Sequence, residues 1–288
     1  MPRPRAAVLA AAAALAAWSA WFEPRRLVVR ELELALPHWP RRLDGLRAGV
    51  LSDVHAGVPH MGLRQLARAV AALNARAPDV QLLLGDYIDT SQPWRTRLRS
   101  RDVAAELAAL RAPLGTIAVI GNHDWRHSAG RRVWLELAAA GIDVLENAST
   151  RLDAGARGEL WVAGLADLRH RRPDVELALA DVPADAPVLL LCHDPDLFPR
   201  VPARVALTLA GHTHGGQVAI PLLRRRLIPS RYGERYARGL VVEDGRALLV
   251  SAGLGTATVP LRLLAPPEVL VLTLRSAGLA PSRRRTSR

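Results

Sequence analysis

Five short apolar runs of this chain each end in a small polar cluster, and that recurrence limits the available folds more than any other feature. The clusters read LSDVHAG, with Asp53 and His55; LLLGDYID, with Asp86 and Asp89; VIGNHDW, with Asn122, His123 and Asp124; LLLCHDP, with His193; and LAGHTHGG, with His212 and His214. Short continuous apolar runs bounded by Gly, Asp and Asn read as buried strands. In α/β sheets, ligands and reacting groups collect beyond the carboxyl ends of the strands, so the five clusters predict one convergent site.

The segments around these runs set the fold class. GLRQLARAVAALNAR has the spacing of an amphipathic helix, VQLLLG of a strand, SRDVAAELAAL of a helix with Ser100 as its N-cap, and GTIAVIG of a strand. LVVRELELAL, from Leu27 to Leu36, alternates in the β manner until Pro37 and Pro40 break it, which suits an edge strand. Past Arg157, ELWVAGL, APVLLLCH, RVALTLAG, GQVAI, RGLVVEDGRALLVS and PEVLVLTL read as strands, with EDG at Glu243 to Gly245 a hairpin turn. Alternating strands and helices followed by a strand-rich half predict an α/β fold: a four-layer α/β/β/α sandwich of two mixed sheets flanked by helices. The expected division is an N-terminal anchor or signal segment over 1–24, one domain over 25–275, and a basic, disordered tail over 276–288.

Composition narrows the function. Half of the 288 residues are apolar, enough for a substantial core. The net charge of +12 comes largely from arginine, in runs at 169–172, 224–226 and 282–288. Such runs read as solvated surface, or more sharply as attraction for anionic lipid or a phosphorylated substrate. Aromatic residues make up 4% of the chain, too few stacking platforms to favour single-stranded nucleic acid, and no nucleic-acid partner is expected. The single cysteine, Cys192, excludes an intrachain disulfide and reads as a small hydrophobe in a buried strand. Ala6 to Phe22 is uncharged and flanked by arginines. It reads as an uncleaved anchor in a bacterial-type inner membrane with Trp18 and Trp21 at the interface; a signal peptide cleaved near AWSA is the alternative.

The five clusters together offer carboxylate, imidazole and amide donors without thiolate, the donor set for Mn, Fe or Zn in a hydrolytic centre. In extended Asp-x-His and His-x-His segments alternate side chains point the same way, which would aim Asp53 with His55, and His212 with His214, at one small region. The donors outnumber the needs of one ion, which points to two divalent ions about 3.5 to 4 Å apart sharing a carboxylate and a water. A serine hydrolase is disfavoured, since no G-x-S-x-G elbow occurs.

DVH, GDYID, GNHD, the post-strand histidine and GHTHGGQ resemble the calcineurin-like metallophosphoesterases, over roughly Leu46 to Leu274. More narrowly, the leading anchor, LPHWPRRLDGLRAGVLSDVHAG, LCHDPD and SAGLGTATVPLRLLAPPEVLVLTL look like the membrane-associated bacterial phosphodiesterases of that superfamily. The resemblance implies the metallophosphoesterase fold, with Asp53, His55 and His214 on a first metal, Asn122, His193 and His212 on a second, and Asp86 bridging. It implies that His123 faces the scissile phosphate as hydrogen-bond donor or general acid, oriented by Asp89, and that a metal-bridging hydroxide attacks phosphorus in line. Two departures stand out. Thr90 and Ser91 follow Asp89 where phosphoprotein phosphatases carry an arginine, which counts against protein phosphatase activity, and Asp194 follows His193 where asparagine is common, adding negative charge near the site. Phosphomonoesterase and UDP-diacylglucosamine pyrophosphohydrolase activities are the alternatives, and a non-catalytic metal-binding scaffold is the alternative of another class. Segments 91–101 and 222–236 are candidate substrate-facing walls for a phosphoester that is soluble or lipid-linked.

Overall fold

The computed structural model describes residues 4–89, 95–96, 98–126, 129–220 and 227–277. Two six-stranded mixed sheets stack face to face. The first contains β1 (Val28–Leu36), β2 (Leu46–Leu51), β3 (Val80–Leu83), β4 (Thr116–Ala118), β5 (Asp143–Val144) and β12 (Glu268–Ser276) in the order β1-β12-β2-β3-β4-β5. The second contains β6 (Ala148–Asp153), β7 (Glu159–Gly164), β8 (Val188–Leu191), β9 (Leu207–Ala210), β10 (Gly239–Glu243) and β11 (Arg246–Val250) in the order β10-β11-β9-β8-β7-β6. The LVVRELELAL segment takes the edge position of the first sheet, pairing parallel with β12. Asp244 and Gly245, both at positive φ, close the β10–β11 hairpin at the EDG turn.

Strand periodicity explains the layers. Along β12, Leu270, Leu272 and Leu274 enter the core between the sheets, whereas Val269 and Val271 face the helices outside. In β8, Leu189 and Leu191 meet that inner core and Leu190 the opposite outer one, so VLLL is apolar at every position. On the first sheet, α2 (Leu63–Asn74), α3 (Ser100–Leu107) and α5 (Gly130–Ala139) bury Leu66, Val70, Leu73, Val103, Leu107, Val133 and Leu137. On the second sheet the cover is thinner: α6 (Val175–Ala178) and short 3-10 turns supply Leu197, Phe198 and Tyr236. The predicted four-layer α/β/β/α sandwich is therefore the observed one.

Some local expectations need correction. Ser100 is the first residue of α3 and not its cap; Arg99, in extended conformation, precedes the helix without a side-chain cap. GQVAI forms no strand, because Gln217 turns the chain at φ 50° and Val218 makes a single bridge to Leu263. The last strand, β12, runs through Ser276, one residue past the expected end of the domain, and the Ala277 N–H reaches the Leu36 carbonyl. The RRR run, the residues after 277 and residues 91–94 and 97 of the predicted 91–101 wall lie outside the described residues.

Candidate metal centre

β2, β3, β4, β8 and β9 all end in the expected clusters, and α4 (Asn122–Trp125) opens directly on Asn122. β2, β3 and β4 run parallel in the first sheet, and β8 and β9 in the second, so within each sheet these carboxyl ends lie together. The His212 N–H donates to both Asp53 carboxylate oxygens, at 3.0 and 3.1 Å, tying the end of β9 to the end of β2 across 159 residues of chain.

The donors converge, but not through extended segments. Asp53, His55, Asp86, His212 and His214 all sit at positive φ, between 46° and 68°. Left-handed conformations cost non-glycine residues roughly 1–3 kcal/mol each and persist where surrounding bonds enforce them. Those bonds are present: the Asp53 N–H donates to the Gly85 carbonyl and the His55 N–H to the Asp86 carbonyl. Gly121 explains the glycine of GNHD, because a Cβ there would lie 2.2 Å from Asp86 Oδ1.

Two groups of donors result. Asp53, His55 and His214 offer ligand atoms within 4.8 Å of one another, and so do Asp86, His193 and His212. Asn122 joins the second group, its Oδ1 lying 3.1 Å from His193 Nε2. Asp86 stands between them. Its Oδ1 accepts the His123 N–H at 2.7 Å, while Oδ2 lies 3.4 Å from His55 Nε2 and 3.1 Å from His193 Nε2. Asp89 Oδ2 lies 3.4 Å from His55 Nδ1 and 3.5 Å from His123 Nδ1, so it faces both rings and not His123 alone. His123 also belongs to a third close group, with His55 and Asp86.

This donor set fits divalent ions. Asp86 Oδ2 and both ring nitrogens of His55 are buried without a good hydrogen bond, an arrangement that is costly unless a cation fills it. Burial alone would lower the His55 pKa, but the Asp86 and Asp89 carboxylates 3.4 Å from its ring nitrogens outweigh burial and raise it to about 10. His193 is likewise raised by Asp86 against the effect of burial, and Asp86, against its own burial, is held well below the usual carboxylate range by His193 and His123. His212 and His214 shift down through burial, helped by His193 and by His55 respectively. An ion held there would compete with protons for these ring nitrogens.

Three residues outside the predicted ligand set organise the centre. Asp124, fully buried, accepts the backbone N–H groups of Asp86, Tyr87, Ile88 and Gly121 at 2.8, 2.8, 3.2 and 3.0 Å. It was visible in GNHD, but its partners were not. Arg169, from the RHRR run, reaches into the centre: Nη2 lies 2.8 Å from His212 Nε2 and Nε 3.7 Å from Asp194 Oδ2. His212 Nδ1 points the other way, 3.2 Å from His193 Nε2, into the donor cluster. When Nδ1 gives its lone pair to an ion, the ring proton resides on Nε2 and needs an acceptor. Asp194 Oδ2, at 3.6 Å, is the carboxylate beside that nitrogen, whereas Arg169, a donor only, faces it at 2.8 Å. With an ion held at Nδ1, the extra negative charge of Asp194 would favour the tautomer protonated at Nε2. Asp194→Asn is expected to weaken metal binding about 10- to 100-fold, measured by titration in chelator-buffered metal; unchanged affinity would exclude this role.

A cavity of about 440 Å³ opens above the cluster, lined by Asp86, Asn122, His123, His212 and His214, by Arg126 and Arg169, and by Leu227, Val218 and Val259. Cys192, buried one residue before His193, is raised in pKa by burial and by Asp194, as a structural hydrophobe should be.

Two stacked mixed sheets with an aspartate, histidine and asparagine cluster at their strand ends define a metal-dependent phosphoester hydrolase. The pattern described as Calcineurin-like phosphoesterase matches residues 46–216, and the chain belongs to that family. It is 31% identical to a Bacillus subtilis protein named uncharacterized metallophosphoesterase YkuE, over 91% of this chain and 90% of that one. It is 31% identical to a Danio rerio transmembrane protein with metallophosphoesterase domain, covering 88% of this chain but only 58% of that protein. A Chlamydia trachomatis protein named UDP-2,3-diacylglucosamine pyrophosphatase LpxG is 25% identical over 92% of this chain and 94% of its own length.

Proposed function

We propose that the chain is a membrane-anchored phosphodiesterase working with two divalent ions, drawn from Mn, Fe and Zn. Asp53, His55 and His214 hold one ion, Asn122, His193 and His212 the other, and Asp86 serves both. The observation that carries this reading is Asp86 Oδ2, which stands within 3.4 Å of a ring nitrogen from each donor group while Oδ1 is fixed by the His123 N–H. Bound there, the ions supply Lewis acidity toward the phosphoryl oxygens and acidify water so that it can attack phosphorus.

The chain's own groups do the rest. His123 lines the cavity and delivers a proton to the oxygen that leaves phosphorus, with Asp89 orienting its Nδ1. Arg126 and Arg169 on the cavity wall hold the phosphoryl oxygens in line. One P–O bond breaks, water's oxygen takes its place, and the departing alkoxide leaves as an alcohol.

The anchor reading is supported by one apolar helical span, Arg5–Arg25, and by similarity to a protein named as transmembrane. A second reading, hydrolysis of the diphosphate of UDP-diacylated glucosamine, is favoured by similarity to LpxG. The test is a parallel assay with Mn, Zn, Fe and Mg on a phosphodiester, a phosphomonoester and a UDP-diacylglucosamine. Metal-dependent turnover highest on the diester supports the first reading, preference for the nucleotide sugar the second. No turnover on any would leave a metal-binding scaffold.

A further inference from the structure

Resting on the phosphoesterase reading of the site, we propose that the cavity mouth opens onto the bilayer holding the N-terminal helix, so that the phosphoester hydrolysed is carried by a membrane amphiphile. The end of the helix is locked onto the cavity rim. Helix α1 (Pro4–Ala17) continues through a wider turn at Trp18–Phe22 into a 3-10 turn at Glu23–Arg25. There the Ser19 carbonyl accepts the Arg262 N–H at 2.9 Å, and Glu23 Oε1 accepts the Ala265 N–H at 2.8 Å. Glu23 is buried, and its other oxygen accepts Trp18 Nε1 at 2.9 Å. Arg262 is fully buried, and its guanidinium bonds the carbonyls of Ala252 and Ala265 at 2.8 Å while lying 3.4 Å from His214 Nδ1. One segment therefore touches both the anchor and an imidazole of the centre.

The same segment builds one wall of the mouth. Leu263 bridges to Val218, its N–H donating to the Gln217 carbonyl at 2.9 Å, and Gln217 Nε2 donates to the Val259 carbonyl at 2.7 Å. Val218 and Val259 line the cavity, and two residues of chain, a span of at most about 11 Å, separate Val259 from the anchor contact at Arg262.

This wall is apolar and uncovered. Leu227 and Val259, on the cavity wall, are 46% and 42% exposed; Leu264, between Leu263 and the Ala265 that bonds Glu23, is 63% exposed, and Trp21 and Phe22 of the helix end are 61% and 59% exposed. Leu264 stands at φ 59°, a conformation that water-facing turns give to Gly or Asn; an exposed leucine there is strained without packing inside the protein. A bilayer surface at the height of Trp18 and Trp21 supplies that packing, as it does for interfacial aromatic residues. Arg126 and Arg169 occupy the cavity's polar wall. A phosphoester on an amphiphile matches this division, its phosphate against the arginines and its apolar part along Leu227 and Val259 toward the lipid.

The full chain, reconstituted in phosphatidylcholine–phosphatidylglycerol vesicles, tests the orientation. Cys192 is buried, so fluorophores go selectively to single introduced cysteines at Leu264→Cys and Val259→Cys, with Leu177→Cys on α6 and Val242→Cys on β10 as exposed apolar controls outside the cavity lining. The expected result is strong quenching by lipid-borne quencher at 264 and 259, and by aqueous iodide at 177 and 242. Equal iodide access at all four positions would overturn the proposal. Leu264→Asp should lower hydrolysis of a vesicle-borne phosphodiester roughly tenfold, one lost leucine burial, and leave soluble bis(p-nitrophenyl) phosphate within about twofold. Equal effects on the two substrates would also overturn it. The wild-type rate on the soluble diester separates the two levels: turnover with water-exposed labels sinks only the orientation, and absent turnover with every metal sinks the phosphoesterase reading itself.

Discussion

Asp86→Asn is expected to reduce kcat/KM on a phosphodiester by at least about a thousandfold, on the order of 4 kcal/mol, and to strip bound metal. The substitution keeps the shape of the side chain, so the expected loss is chemical. An asparagine keeps its oxygen on the His123 N–H, which Oδ1 now accepts at 2.7 Å. Its amide nitrogen then takes the place of Oδ2, a donor between His55 and His193 where both donor groups need a lone pair. Both groups suffer from this one change, whereas a substitution at His214 touches one. Metal content by elemental analysis and steady-state kinetics check this together. Retained metal with retained turnover would exclude Asp86 as the shared ligand.

Asp124→Ala is expected to produce a large loss of stability although Asp124 lies outside the proposed metal ligands. Removing the carboxylate leaves four buried backbone N–H groups, from Asp86, Tyr87, Ile88 and Gly121, without their acceptor. Each orphaned donor costs about 1–3 kcal/mol, and with partial relaxation the sum is on the order of 3–5 kcal/mol. For a chain of this size that lowers Tm by roughly ten degrees. Burial, with the charge of Asp86, pushes Asp124 itself up to about 7, which the four N–H groups resist. The loops carrying Asp86 and Asn122 share this one anchor, so metal affinity should fall with Tm. Calorimetry of metal-free protein isolates the stability effect, and a Tm within two or three degrees of wild type would contradict it.

Much of this architecture was legible because its signals are local. Five apolar runs ending in Asp, His or Asn announced strands whose carboxyl ends bear ligands, and PEVLVLTL announced its two faces through alternating valine and leucine. The backbone state of the ligands was not legible, since Asp-x-His is compatible with an extended strand and with the left-handed turns found at Asp53 and His55. Only cross-chain bonds, such as those from His212 to Asp53, decide between them. GQVAI misled for a related reason: its Val218 lines the cavity and bridges to Leu263 without joining a ladder. Asp124 acts through Asp86, Tyr87 and Ile88, 36 to 38 residues away, Asp194 lies beside Arg169 and His212, and Arg262 reaches His214 48 residues away; no spacing rule encodes such pairings. Arg169 looked like one member of a solvated run, and its three neighbours gave no hint that it alone reaches His212.

The central claim is that Asp86 joins two cation sites made from remote strand ends. Anomalous diffraction from crystals of the Mn-loaded or Zn-loaded protein, collected at the metal's absorption edge, tests it most directly. Two peaks about 3.5 to 4 Å apart are expected, both within coordination distance of Asp86, one beside Asp53, His55 and His214 and the other beside Asn122, His193 and His212. A single peak, or two that do not share Asp86, would contradict it.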